Sequence, residues 1–119
     1  MATGQLSSVV RYLRKVSAGR LASSCTDATL LERFVSQRDE AAFEALVHRH
    51  GPMVLGLCRR ILRNAHDVED AFQATFLVLV HKAGSVRKRA SLGHWLYGVA
   101  YRTALQARTD RARRRIHER

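Results

Sequence analysis

Glu69, Asp70 and Gln73 fall at helical spacing on one side of a predicted helix, where two carboxylates and an amide can bind a partner. One turn beyond them, Leu77 adds an apolar neighbour to the same face. A second group, Arg87, Lys88 and Arg89, sits in a connector that contains no acid and suits phosphate contact. A third, His94, Tyr97, Tyr101 and Arg102, follows at three-or-four spacing and combines rings for stacking with a cation. All of this is binding chemistry. The sequence holds no Ser/His/Asp grouping and no phosphate-cradling glycine loop, and His48 with His50 lacks a nearby third ligand. Neither a metal nor a cofactor is expected, and the chain is not expected to be an enzyme.

Charge points the same way. Lys and Arg number 21 against 10 Asp and Glu, a formal net charge of +11 over 119 residues. Such an excess favours a polyanionic partner, because cationic patches gain by displacing condensed counterions from phosphates. An acidic membrane surface is the physical competitor. No stretch approaches the roughly 18 consecutive apolar residues a spanning helix needs, so no membrane partner is expected. The length suits one domain with one modest core. Cys25 and Cys58 lie far apart without metal spacing or a disulfide framework, which fits a reducing cytoplasm.

The elements that must position these groups are helices. Apolar residues recur at three-and-four spacing almost throughout, and Pro52 is the single proline. The expectation is an all-α bundle of three main helices plus a short N-terminal amphipathic one. That N-terminal helix covers residues 5–17, with Leu6, Val9, Val10, Leu13 and Val16 opposite Arg11, Arg14 and Lys15. Residues 1–24 contain no acid, so an organelle transit peptide is the alternative there. Asp27 is expected to cap a short helix burying Leu30, Leu31, Phe34 and Val35, and Asp39 the next helix, over residues 39–63. The inward stripe of the latter is Phe43, Leu46, Val47, His50, Val54, Leu57, Cys58 and Ile61, and Gly51-Pro52 should kink or divide it, a bend being expected.

Asp67 is expected to cap a third helix reaching Lys82 and closed by Gly84, with Val68, Phe72, Thr75, Phe76, Leu79 and Val80 inward. Ser91 is placed as the cap of a fourth helix from Leu92 to about Arg114 that buries Leu92, Trp95, Leu96, Val99, Ala100 and Thr103. Several readings stay open on residue type alone. The Glu69/Asp70/Gln73 face is a docking surface, or a solvated first turn whose acids favour the helix dipole. The basic loop of residues 83–91 is a DNA contact or an ordinary connector. Trp95 reads first as a packing residue, with an edge contact to DNA open. The arginine-rich tail from Arg108 either extends the helix along DNA or is a solvated linker.

A resemblance narrows these choices. Asp67-Val68-Glu69-Asp70-Ala71-Phe72-Gln73-Ala74-Thr75-Phe76 resembles the polymerase-binding segment of sigma factors, in which Asp-x-Glu-Asp-x-x-Gln-x-x-Phe recurs. Upstream, Asp39-Glu40-Ala41-Ala42-Phe43-Glu44-Ala45-Leu46 followed by His50-Gly51 is similar to the opening helix of the extracytoplasmic-function (ECF) group. Downstream, Trp95-Leu96-Tyr97-Gly98-Val99-Ala100-Tyr101-Arg102 resembles that group's Trp-Leu-x-x-Ile-Ala-x-Asn signature. The three stand in the right order over about residues 27–114. The resemblance implies region 2 of an ECF sigma factor, a cytoplasmic transcription protein.

On that likeness Asp67, Glu69, Asp70 and Gln73 would bind the clamp helices of the largest polymerase subunit, with Leu77 added from the face argument. The loop carrying Arg87, Lys88, Arg89 and Ser91, and the helix carrying His94, Trp95, Tyr97, Tyr101, Arg102 and Gln106, would hold the non-template strand of the minus-ten promoter element. Arg102 stands where the family has Asn and Gln106 where it has Asp; both remain capable base readers. Residues 25–114 would form the domain, residues 1–24 an extension and residues 115–119 the start of a linker, a second DNA-binding domain being absent. An anti-sigma factor is a possible further partner. The alternatives are a free-standing basic nucleic-acid module and a protein-interaction bundle held by such a regulator.

Overall fold

The computed structural model describes residues 25–87 and 91–118, and the N-terminal helix expected over residues 5–17 lies outside them. Regular structure among the described residues is helical: α1 (Asp27–Gln37), α2 (Glu40–Ile61), α3 (Ala65–Lys82), a 3-10 turn at Ala83–Ser85 and α4 (Leu92–Glu118). The expected all-α class is what forms.

Each boundary has a local cause. Thr26, not Asp27, caps α1: its Oγ1 accepts from the Thr29 amide at 3.1 Å. Asp27 occupies the first turn instead, where a carboxylate still favours the dipole, and its oxygens are used elsewhere. α1 ends where Arg38 turns left-handed (φ 51°, ψ 42°) and returns its amide to the Phe34 carbonyl at 2.9 Å. An arginine tolerates this unusual backbone with its guanidinium 4.9 Å over the Phe34 ring. Asp39 caps α2 as expected, Oδ1 accepting from Ala41 and Ala42 at 3.0 and 3.3 Å.

α2 runs 22 residues without division at Gly51-Pro52. Proline removes one rung of the ladder there, but buried Gly51, Val54, Leu57 and Cys58 on the same helix pack into the core and hold the strand of backbone helical. Asn64 caps α3, its Oδ1 accepting from His66 at 2.8 Å and Asp67 at 3.2 Å, so the cap lies three residues before the expected Asp67. Gly84 does not close α3 in a left-handed conformation. A 3-10 turn does, with Val86 N–H bonding the Ala83 carbonyl at 3.4 Å. α4 continues to Glu118, beyond the expected Arg114, at about 40 Å for 27 residues.

The core joins one stripe from each helix: Leu30, Leu31 and Phe34; Phe43, Leu46, Val47 and Val54; Phe72, Phe76 and Leu79; Leu92, Leu96, Ala100 and Ala104. Phe34 and Phe43 meet with ring centroids 4.9 Å apart, and α4 packs on both α2 and α3. Thr75, the buried polar member of the α3 stripe, bonds the Ala71 carbonyl at 2.8 Å and so leaves no unmet hydroxyl. Val80, Trp95, Thr103, Val35 and Ile61 sit at the margin, half-buried where full burial was expected. Small residues Ala45, Ala71 and Ala104 are fully inside instead, which allows the helices to approach closely.

Candidate functional site

α3 carries the acidic ridge. With the Val68/Phe72/Phe76/Leu79 stripe buried, Glu69 and Asp70 are exposed and Gln73 and Leu77 half-buried, so Glu69, Gln73 and Leu77 form one i, i+4, i+8 row beside Asp70. Asp67 stands apart from that row. Its side chain is 13% exposed, and Oδ2 accepts from Arg111 Nη1 of α4 at 3.1 Å. The ridge is therefore Glu69, Asp70, Gln73 and Leu77, with Asp67 committed to joining two helices.

α4 carries the ring-bearing edge. His94, Tyr97 and Tyr101 are exposed, the two tyrosines at 45% each, and at about 100° per residue they share one row. Arg102 is exposed about a quarter turn further round, nearer Trp95 and Gln106. Its guanidinium folds back over Gly98: a Cβ placed there would lie 3.2 Å from Arg102 Nη1. Gly98 thus gives the arginine a bed along the helix between the rings and the flank. Trp95 is half-buried and packs against the core. Gln106 Nε2 donates to Asp110 Oδ1 at 3.0 Å along the same helix, and its carbonyl oxygen is left to accept elsewhere. In the connector Arg87 is exposed and Ser91 half-buried; Lys88 and Arg89 lie outside the described residues.

A joint beneath this edge was not foreseen. Asp27 Oδ1 accepts from Arg49 Nη1 at 2.7 Å, Oδ2 meets His50 Nε2 at 2.9 Å, and Arg49 Nη2 donates to the Cys25 carbonyl. An ionised carboxylate only accepts, so His50 Nε2 carries the hydrogen in this contact. The His50 ring lies against the start of α4: a Cβ at Gly93 would meet Cε1 at 3.6 Å. α1, the middle of α2 and the first turn of the ring-bearing helix are thereby fastened together. The signal in the chain was an Asp read as a cap and a His read as part of an apolar stripe.

Relative placement follows from these contacts. α3 and α4 run antiparallel, since Asp67 in the first turn of α3 meets Arg111 late in α4, and Lys82 connects back to Leu92 through one short connector. From Asp70 to Lys82 the helix rises about 18 Å. The acidic ridge therefore begins at the Asp67 end of the pair and the rings lie toward the connector, with Leu77 and Tyr101 at about the same height along it. Among the described residues no three His, Cys, Asp or Glu gather as metal ligands, and no helix is long and apolar enough to cross a membrane.

The described residues form a helical domain with an acidic ridge on α3 and an exposed, ring-bearing edge on α4. Residues 46–114 match the family described as Sigma-70 region 2, and the chain belongs to it. It is 35% identical over 98 residues to the ECF RNA polymerase sigma-E factor of Haemophilus influenzae, across 82% of this chain and 51% of that protein. It is 33% identical over 88 residues to the RNA polymerase sigma-H factor of Pseudomonas aeruginosa, across 74% and 45%. To the RNA polymerase sigma factor CarQ of Myxococcus xanthus it is 39% identical over 79 residues, across 65% and 44%. The chain spans about half the length of the curated relatives it matches. No solved structure matches it at the significance these relatives reach.

Proposed function

We propose that this domain docks on core RNA polymerase through Glu69, Asp70, Gln73 and Leu77 and presents its connector and α4 to the minus-ten promoter element during transcription initiation. The placement of the ridge on α3 and of the rings on α4 supports the reading, because each partner then has a separate helix to engage. At the polymerase end, exposed carboxylates steer a cationic partner while half-buried Gln73 and Leu77 supply a directional hydrogen bond and apolar contact. At the DNA end, Arg87 and, by their place in the connector, Lys88 and Arg89 would neutralise the backbone. Tyr97, Tyr101 and His94 stack on unpaired bases, with Arg102 at their flank and Ser91, Trp95 and Gln106 at the margins.

Opening the duplex costs a few kcal/mol per unstacked step, which stacking and phosphate contact together offset. The domain contributes no bond-making chemistry in this reading; the polymerase does. A pull-down tests it. The wild-type chain is expected to retain core RNA polymerase, and an Asp70→Ala, Gln73→Ala variant with an unchanged melting curve is expected to lose it. Undiminished retention by that variant would refute the docking assignment.

A further inference from the structure

Where the α2–α3 turn meets the last third of α4, a groove of about 410 Å³ opens. Four guanidinium-bearing side chains line it: Arg63 from the turn, and Arg108, Arg111 and Arg115 from α4. Asp67 is the single carboxylate on its wall, and Leu62 contributes to an apolar floor. Arg63, Arg108 and Arg115 have no carboxylate partner among the described residues, so four cations converge against one anion. The fourth is set differently. Arg111 spends Nη1 on Asp67, while its Nε is buried and bonds to nothing among the described residues. A buried, unpaired donor on a charged group is unfavourable unless something accepts from it, and like charges brought together need a counter-charge. The acidic ridge and the rings use neither this N–H nor these arginines.

We infer that this groove is a phosphate-binding site, in which one oxyanion accepts from Arg111 Nε while the guanidinium groups of Arg63, Arg108 and Arg115 close around it. A lone carboxylate carries too little charge to balance three uncompensated cations. A phosphate, with more charge and several acceptor oxygens, matches the planar forks that arginine presents. Two sources share that chemistry: the backbone of nucleic acid, since Arg108 and Arg115 lie on the same flank of α4 as Tyr97, and a free polyphosphate seated in the concavity. Phosphate capture does not depend on the polymerase reading, because none of its donors belongs to the acidic ridge.

The test titrates inorganic tripolyphosphate into the full 119-residue chain by calorimetry, with a short DNA duplex as the second arm. Removing two exposed lining cations, Arg108→Gln with Arg115→Gln, should weaken tripolyphosphate binding by about tenfold or more. The control pair Arg113→Gln with Arg114→Gln removes the same charge from the same helix outside the groove and should change it by no more than about twofold. Arg111→Lys keeps the charge and deletes Nε, and should also weaken binding. If the groove pair lowers the salt slope of duplex binding by about 1 to 2, and tripolyphosphate competes with duplex, the phosphate is backbone. If only tripolyphosphate responds, it is a free anion. Equal losses in the groove and control pairs would reduce the effect to net charge and overturn the site, as would absence of binding in both arms.

Discussion

Arg111 and Asp67, 44 residues apart, meet at 3.1 Å and lock the late part of α4 to the first turn of α3. Asp67 is mostly enclosed and Arg111 is a little over a third exposed, so the pair is neither a free surface ion pair nor a fully buried one. Its coupling energy in a double-mutant cycle with Asp67→Ala and Arg111→Ala should be roughly 1 kcal/mol and shrink with added salt. Strict additivity of the two melting shifts would show that the contact fastens nothing.

Two glycines in helix interiors should behave differently. Gly56 is exposed in α2 with open space where a Cβ would stand. Gly56→Ala should raise stability by about 0.5–1 kcal/mol through helix propensity and the unfolded state, and leave binding unchanged. Gly98→Ala would place a methyl 3.2 Å from Arg102 Nη1 and lift that guanidinium from its bed. Its stability gain should come with altered DNA affinity, read by denaturation and by binding to single-stranded DNA. Equal DNA affinity in both variants would remove any role for the bed.

Burial, with Glu40 one turn away, raises the Glu44 carboxyl pKa above its ordinary value. A raised folded-state pKa means that ionising Glu44 costs the folded state. Its favourable contribution is complete below the unfolded pKa of about 4.3 and is lost as pH rises through the folded value. Glu44→Gln should therefore raise the melting temperature at pH 7.5 and lose that advantage near pH 4. A larger benefit in acid would reverse the assigned sign.

Cys58 is completely buried and burial pushes its thiol pKa up, whereas Cys25 is half-buried beside the start of α1. A thiol-specific chromogenic reagent should label Cys25 in the native chain and reach Cys58 only on unfolding. Fast labelling of both would show that α2 opens locally.

The long helices were legible because their burial is periodic, and the outer face of α3 was legible for the same reason: filling a stripe with Val68, Phe72 and Phe76 leaves Glu69, Asp70 and Gln73 outside. The Asp39 cap was legible because capping is local. Asp27 and Asp67 look identical to it in sequence, yet Thr26 and Asn64 do the capping and free both carboxylates for partners 22 and 44 residues away. Those long-range partners leave no periodic trace. The arginine groove was hidden similarly: Arg108 and Arg115 read as a charged tail, and only the α2–α3 turn arriving beside Arg111 makes them a site. Gly84 carried a stop signal that the 3-10 turn made unnecessary.

Holding of polymerase by α3 and of opened DNA by α4 is tested most directly by measuring single-stranded DNA binding to core polymerase mixed with the chain. Binding beyond that of core polymerase alone is expected. Tyr97→Ala with Tyr101→Ala should lose about tenfold or more of it while still co-eluting with polymerase, and Asp70→Ala with Gln73→Ala should lose both. A ring variant that binds the strand undiminished, or one that falls off polymerase as well, would contradict the account.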